Sequence, residues 1–310
     1  MAEAVEVSDL VKVYGELRAV DGIDVRVATG TVFAFLGPNG AGKTTTVEIL
    51  EGLRRATSGT VRVLGLDPWR DGERLHRRIG VIPQDFRFFE KITAREAIEY
   101  YRELFGSRVD AGELLARVEL LDKADARFDT LSGGQKQKLG LALALTNEPE
   151  VCFLDEPTTG LDPHARRAIW SVVRSLRAEG RTVFLTTHYL EEAELLADRV
   201  AVINRGRIIA AGTPREIIDA HGRPTRLKVR ADASLAPLLK ERLGLDARAA
   251  NGQVEVDLRD HKDALRVLEA IEGSGLPWDA LATETDTLED VFVRLVGRMD
   301  EGTLSSEAPS

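Results

Sequence analysis

Residues 5–14 and 20–27 alternate apolar and polar side chains, the two-residue period of strands with one buried face. They predict an antiparallel patch ahead of a central strand at 31–36, where apolar residues follow one another without a break. Short apolar runs return at 61–64, 79–82, 151–154, 182–187 and 200–203. Most read as strands buried on both faces. Between them the period lengthens. Thr93 and Glu96 form a capping box for a helix carrying Ile98, Tyr101, Leu104 and Phe105. A second helix is expected over 112–121 and a third from 134 to 145, so residues 85–147 read as a helical subdomain. Helices at 163–179 and 189–197 separate the later strands, and Asn204, Arg205 and Gly206 make a hairpin turn. Strands alternating with helices in this way indicate an α/β domain built on a buried parallel sheet.

A boundary is expected near 220–225. Beyond it come strand 225–230, helix 234–243, strand 246–250, an Asn251-Gly252 turn, strand 253–258, helix 261–272 and strand 277–284. That order, β-α-β-β-α-β, predicts a small α+β domain of the split-βαβ kind over residues 221–299. Its last helix starts at Thr287 and Asp290 and aligns Val291, Phe292, Leu295 and Val296 on one face. Residues 300–310 read as a disordered tail.

The 310 residues are 43% hydrophobic and 30% charged, ordinary for a globular protein. A net charge of -9 argues against a nucleic-acid partner, which needs clustered basic residues to displace counterions. Cys152 is the single cysteine, which excludes an internal disulfide and a cysteine-based zinc site. The first residues lack the basic start and apolar stretch of a signal peptide, and no apolar run approaches the ~20 residues of a spanning helix. The expected location is the cytoplasm, with any membrane role exerted through another chain.

Chemistry concentrates where strand 31–36 runs into a helix. Gly37, Pro38, Asn39, Gly40, Ala41, Gly42, Lys43 and Thr44, followed by Thr45, match the glycine-rich phosphate loop. The glycines let amide N–H groups approach an anion, and the helix adds its positive end. Lys43 can reach the β- and γ-phosphates, and the Thr44 hydroxyl can ligate Mg²⁺. The expected ligands are ATP and Mg²⁺. Strand 151–154 ends in the adjacent carboxylates Asp155 and Glu156. In a sheet that already holds a phosphate loop, such a pair belongs at the nucleotide. Asp155 suits Mg²⁺ and Glu156 the attacking water. Ser132, Gly133, Gly134 and Gln135 lead into another helix amino end, a second anion cradle. One nucleotide hardly needs two, so the second is expected to serve the nucleotide of another copy.

These stretches, together with Gln84, residues 160–162 and His188, occur in the order typical of ATP-binding-cassette ATPases. The chain resembles that family over roughly residues 5–220. The resemblance implies a phosphate-loop α/β fold, a nucleotide-binding domain over residues 1–220, and a head-to-tail homodimer with composite ATP sites. It implies that Tyr14 stacks on adenine and that Gln84 touches Mg²⁺ and senses a membrane partner. It further implies that Ser132–Gln135 contact the γ-phosphate held by the opposite subunit, Asp162 crosses the dimer interface, and His188 contacts the γ-phosphate. Residues 51–55, 138–145 and 286–292 resemble the daunorubicin-resistance branch of ABC-2 exporters, although Leu143 stands where many cassettes have Arg. By that resemblance the chain powers export of drugs or other hydrophobic compounds. It would lie on the inner face of the membrane, held by an integral permease on a separate chain. The rival reading is a soluble cassette ATPase acting on nucleic acid or ribosomes. It is disfavoured by the single cassette, the lack of a heptad run and the lack of a basic tail. A nucleotide-sensing module for the C-terminal domain is a third reading.

Overall fold

In the computed structural model, which describes residues 2–304, the two alternating stretches become long paired strands. These are β1 (Glu3–Tyr14) and β2 (Leu17–Ala28), and their inward rows, including Val5, Val7, Leu10, Ile23 and Val25, are buried. The first unit continues with β3 (Val32–Leu36), β4 (Ser58–Val63), β5 (Ile79–Ile82), β6 (Val151–Asp155), β7 (Thr182–Thr187), β8 (Arg199–Asn204) and β9 (Arg207–Gly212). β4 joins the antiparallel patch, in the order β2-β1-β4. The other six form one sheet, β5-β6-β7-β3-β8-β9, parallel except for the β8–β9 hairpin. Strands β3, β6 and β7 are buried at every residue, which is why their sequences show no alternation. Phe184 sits at their centre, with the rings of Phe33, Phe35 and Phe153 at centroid distances of 5.2, 5.8 and 5.7 Å. Because β3, β6 and β7 are parallel neighbours, the loops after β3 and β6 leave the sheet on one edge, with the end of β7 between them.

The helices of this unit are α1 (Lys43–Leu50), α2 (Gly72–His76), α3 (Ala94–Phe105), α4 (Ala111–Arg117), α5 (Gly133–Ala144), α6 (Pro163–Ala178) and α7 (Leu190–Leu196). α3 begins at the expected capping box, with Thr93 and Glu96 bonded reciprocally. α4 stops at Arg117, short of the expected 121. Glu119 adopts a left-handed φ of 55°, which a helix cannot continue through, and Leu121–Lys123 form a separate 3-10 turn.

The chain divides after Pro214, earlier than the composition suggests. The reason lies in α8 (Pro214–His221), whose end is tied to the C-terminal unit. Arg294 donates to the carbonyl of His221 at 2.6 Å, and the Arg223 amide donates to Asp286 at 2.8 Å. The second unit then runs β10 (Arg226–Ala231), α9 (Leu235–Leu243), β11 (Ala247–Ala250), β12 (Gln253–Asp257), α10 (His261–Glu272), β13 (Trp278–Glu284) and α11 (Leu288–Leu304). Its sheet order is β11-β12-β10-β13 with every pair antiparallel. β10 and β11 therefore run parallel on either side of β12, the split-βαβ arrangement. Asn251 and Gly252, at φ of 51° and 73°, make the tight turn between β11 and β12. Leu227, Val229, Leu239, Val254, Val256 and Val267 form a core of their own. α11 runs to Leu304, so residues 300–304 of the expected tail are helical, and residues 305–310 lie outside those described.

Candidate active site

The loop between β3 and α1 is shaped by contacts that forbid side chains. A Cβ on Gly37 would lie 2.3 Å from the carbonyl oxygen of Ile203, and one on Gly42 would lie 2.4 Å from that of Ala19. Gly42 also takes a φ of 109°, closed to other residues. α1 starts immediately after it with no side-chain cap and no acidic residue in its first turn. Its amide N–H groups are thus left for an external anion. Lys43 is 5% exposed and donates to the carbonyls of Gly37 at 2.8 Å and Pro38 at 3.2 Å. Burial lowers its pKa, and the nearby charges of Glu156 and Asp155 pull it back. Its ammonium is held in the loop by weak neutral acceptors, ready for a better one.

The acidic pair is held from β7. The Thr186 hydroxyl donates to Asp155, and the Glu156 amide donates to both the Thr186 hydroxyl (3.0 Å) and its carbonyl (3.1 Å). Burial raises the Asp155 pKa, opposed by that hydroxyl. Glu156 adopts a left-handed φ of 48°, rare for a residue with a side chain, and is only 7% exposed. Its carboxylate is where the site converges. Oε2 accepts from Thr159 at 3.0 Å and Gln84 at 3.4 Å and lies 3.1 Å from Nδ1 of His188, while Oε1 faces Lys43 at 3.7 Å. A carboxylate oriented on several sides can hold a water in a fixed direction.

Around it lies an open cavity of about 490 Å³, lined by Tyr14, Leu17, Ala19, Asn39, Gly40, Gly42, Lys43, Thr44, Thr45, Gln84 and Glu156. The structure thus brings most of the sequence-predicted residues to one place. Tyr14 borders it as a 37% exposed ring, with Lys12 and Arg54 at 4.9 and 5.3 Å from the ring centre. His188 reaches the cavity through Glu156, and Asp155 through its side-chain hydrogen bond with Thr44. Ser132, Gly133, Gly134, Gln135 and Asp162 do not line it. Ser132 caps α5, accepting from the Gln135 amide at 3.3 Å while Gln135 accepts from the Ser132 amide at 2.9 Å. Asp162 caps α6 through two bonds of 2.9 Å to the amides of His164 and Ala165. Both caps lie exposed on the surface. Sequence reasoning missed Thr159 and Thr186. Thr159 sits just after the acidic pair, so a polar residue there was a signal; Thr186, inside an apolar strand, gave none.

Among the described residues no cluster of three or more His, Cys, Asp or Glu side chains could hold a metal by itself. Thr44 and Asp155, joined by a side-chain hydrogen bond, are the oxygen donors that a Mg²⁺ shared with a nucleotide would take.

Glu51, at the end of α1, is a buried acid outside this convergence. Its pKa is raised to about 8, first by burial and then by the charges of Asp155 and Glu48. The folded chain therefore holds a proton that the unfolded chain loses above its value of 4.5. Stability is full below that value and falls as pH rises towards 8. Glu51→Gln should accordingly melt close to wild type at pH 5 but higher at pH 8, by roughly 5 °C. Calorimetry at both pH values checks it, and a gap that does not widen between them contradicts the reading.

Comparison with known proteins places these features in a family. The ABC transporter profile matches residues 20–159. The chain is 40% identical over 307 residues to daunorubicin resistance ATP-binding protein DrrA3 of Streptomyces coeruleorubidus, covering 95% of this chain and 96% of that one. It is 39% identical to Nod factor export ATP-binding protein I of Paraburkholderia xenovorans, covering 95% and 97%. Among solved structures, the ATP-binding subunit of an ABC transporter superposes with a TM-score of 0.65 at 29% identity, over 70% of this chain and 92% of that one. A dimeric post-hydrolysis cassette bound to ADP and Pi superposes at 0.62 with 27% identity, over 67% and 98%. Full-length relatives and the glycine loop beside its acidic pair lead to one conclusion: this chain belongs to the ABC transporter family, as an ATP-binding subunit.

Proposed function

We propose that the chain hydrolyses ATP as the motor of an exporter whose membrane-spanning permease is a separate chain. In this reading it works as a head-to-tail homodimer. The observation that carries the reading is a carboxylate, Glu156, braced by Lys43, Gln84, Thr159 and His188 at the mouth of a phosphate loop. ATP would lie with its phosphates on residues 37–45 and its adenine against Tyr14. Lys43 would exchange two carbonyls for phosphate oxygens. Thr44, Asp155 and Gln84 would hold Mg²⁺, which neutralises charge developing on the phosphates. Glu156 would direct the attacking water and take up its proton, with His188 keeping the carboxylate aimed and reaching towards the γ-phosphate.

The cavity is open and lacks Ser132–Gln135, while a capped helix end carrying those residues lies exposed elsewhere on the same unit. Both facts are met if each cavity is completed by the partner copy's Ser132–Gln135, with Asp162 at the interface. ATP would then bind the closed pair better than the open one, and hydrolysis would release it. A groove between β5, α3 and α5, lined by Leu53, Ile79, Val81, Tyr101, Phe105 and Leu143, opens beside the strand that leads into Gln84. It offers the permease an apolar seat, which would hold the chain on the inner face of the membrane. The named relatives are tied to daunorubicin resistance and to Nod factor export; a drug or other hydrophobic small molecule is the corresponding cargo class here. Residues 221–299 would be accessory to this cycle.

The test is complementation. Ser132→Arg and Lys43→Ala chains should each be inactive, and mixing them should regenerate one intact site in the heterodimer, up to about half the wild-type activity per dimer. Heterodimers that form yet stay inactive would refute the composite arrangement.

A further inference from the structure

β13 is the outermost strand of the C-terminal sheet and, among the described residues, pairs only with β10. All seven of its residues are exposed. Protein sheets normally protect such edges with short strands, prolines or charges. The opposite edge, β11, follows that rule: it has four residues and carries Arg248, paired with Asp246 at 2.7 Å. β13 contains no proline and no basic residue. Its two acids are neutralised from within the sheet, Glu284 by Lys228 at 2.9 Å and Asp279 by Arg230 at 3.7 Å.

The large aliphatic residue of this edge is equally open. Leu281 stands opposite Val229 in the ladder and so shares the sheet face of Val229 and Leu227, both fully buried in the core. Leu281 is nevertheless 38% exposed. The core row runs off the sheet without a closing residue.

We propose that β13 pairs antiparallel with β13 of a second copy of this chain, joining two C-terminal sheets edge to edge without nucleotide. A two-fold axis at Leu281 is the one register that engages the whole strand. It sets Leu281 against its copy, Ala280 against Ala282, Asp279 against Thr283 and Trp278 against Glu284, so no charge meets its like. Both Leu281 side chains fall on one face and close the two cores. The contact is isologous, so it ends at a dimer rather than a fibre. It goes beyond the ATP-dependent pairing above and stands without it. Such a tether would keep two cassettes together after hydrolysis, turning the next closure into an intramolecular step.

Cross-linking the full chain tests this. The only native thiol, Cys152, is buried and its pKa is pushed up to about 12, so it stays silent. Leu281→Cys, placed in a Lys43→Ala chain without nucleotide, should form disulfide-linked dimers under mild oxidation. Asp279→Cys alone or Thr283→Cys alone should not, because like positions then sit roughly 13 Å apart along the strand. An equal mixture of those two should link. Absence of linking at 281, or equal linking at all three positions, overturns the proposal. Sedimentation gives an independent reading: Leu281→Arg should weaken the nucleotide-free dimer by about tenfold or more. A wild-type chain that stays monomeric without nucleotide at high concentration also overturns it. Complementation between Ser132→Arg and Lys43→Ala is read separately, so either idea can fail alone.

Discussion

Glu156→Gln should cut steady-state ATP turnover by ~10²–10⁴ while leaving ATP binding close to wild type. The carboxamide keeps the shape and still offers an oxygen to Thr159 and Gln84, which now donate to Oε2 at 3.0 and 3.4 Å. What disappears is the negative charge and the capacity to take a proton from water. The left-handed turn at residue 156 depends on backbone bonds to Thr186, so the fold should hold. With hydrolysis slowed and binding retained, closed ATP-loaded pairs should accumulate, visible as unhydrolysed ATP that stays with the dimer through gel filtration. Turnover within a few-fold of wild type would remove Glu156 from its role.

Lys43→Ala should act on the other side of the cycle, weakening ATP binding by about ten- to a hundredfold, the worth of one charge-assisted hydrogen bond to phosphate. The lysine now rests on two loop carbonyls and faces Glu156 at 3.7 Å, so its loss also leaves that buried carboxylate without its cation. Titration with a fluorescent ATP analogue checks affinity, and a melting curve separates a local loss from unfolding. Undiminished binding in a folded variant would count against the phosphate-loop assignment.

What the sequence made legible was what sits close together along the chain. The glycine loop with the strand before it, and the acidic pair at the end of β6, are each contiguous stretches that carry their own pattern. The order of the C-terminal domain was readable for the same reason, with the Asn251-Gly252 turn marking its hairpin. Thr186 was not readable, because its work is done sideways, from β7 to β6, and periodicity says nothing about which strand lies beside which. The early end of α4 was hidden because the apolar spacing set by Leu114 and Val118 continues to Leu121, after Glu119 has already turned the backbone. The unit boundary escaped too: Ile217 and Ile218 announce a buried face but not the core that buries it.

A single hydroxyl, that of Thr186, touches one acid through its side chain and the next through its amide. Sliding of β7 past β6 would therefore shift the Asp155 carboxylate and the Glu156 backbone together. The aim of the Glu156 carboxylate has a second, separate control in Thr159, Gln84 and His188, so movement of the loop that carries Gln84 reaches one acid without the other.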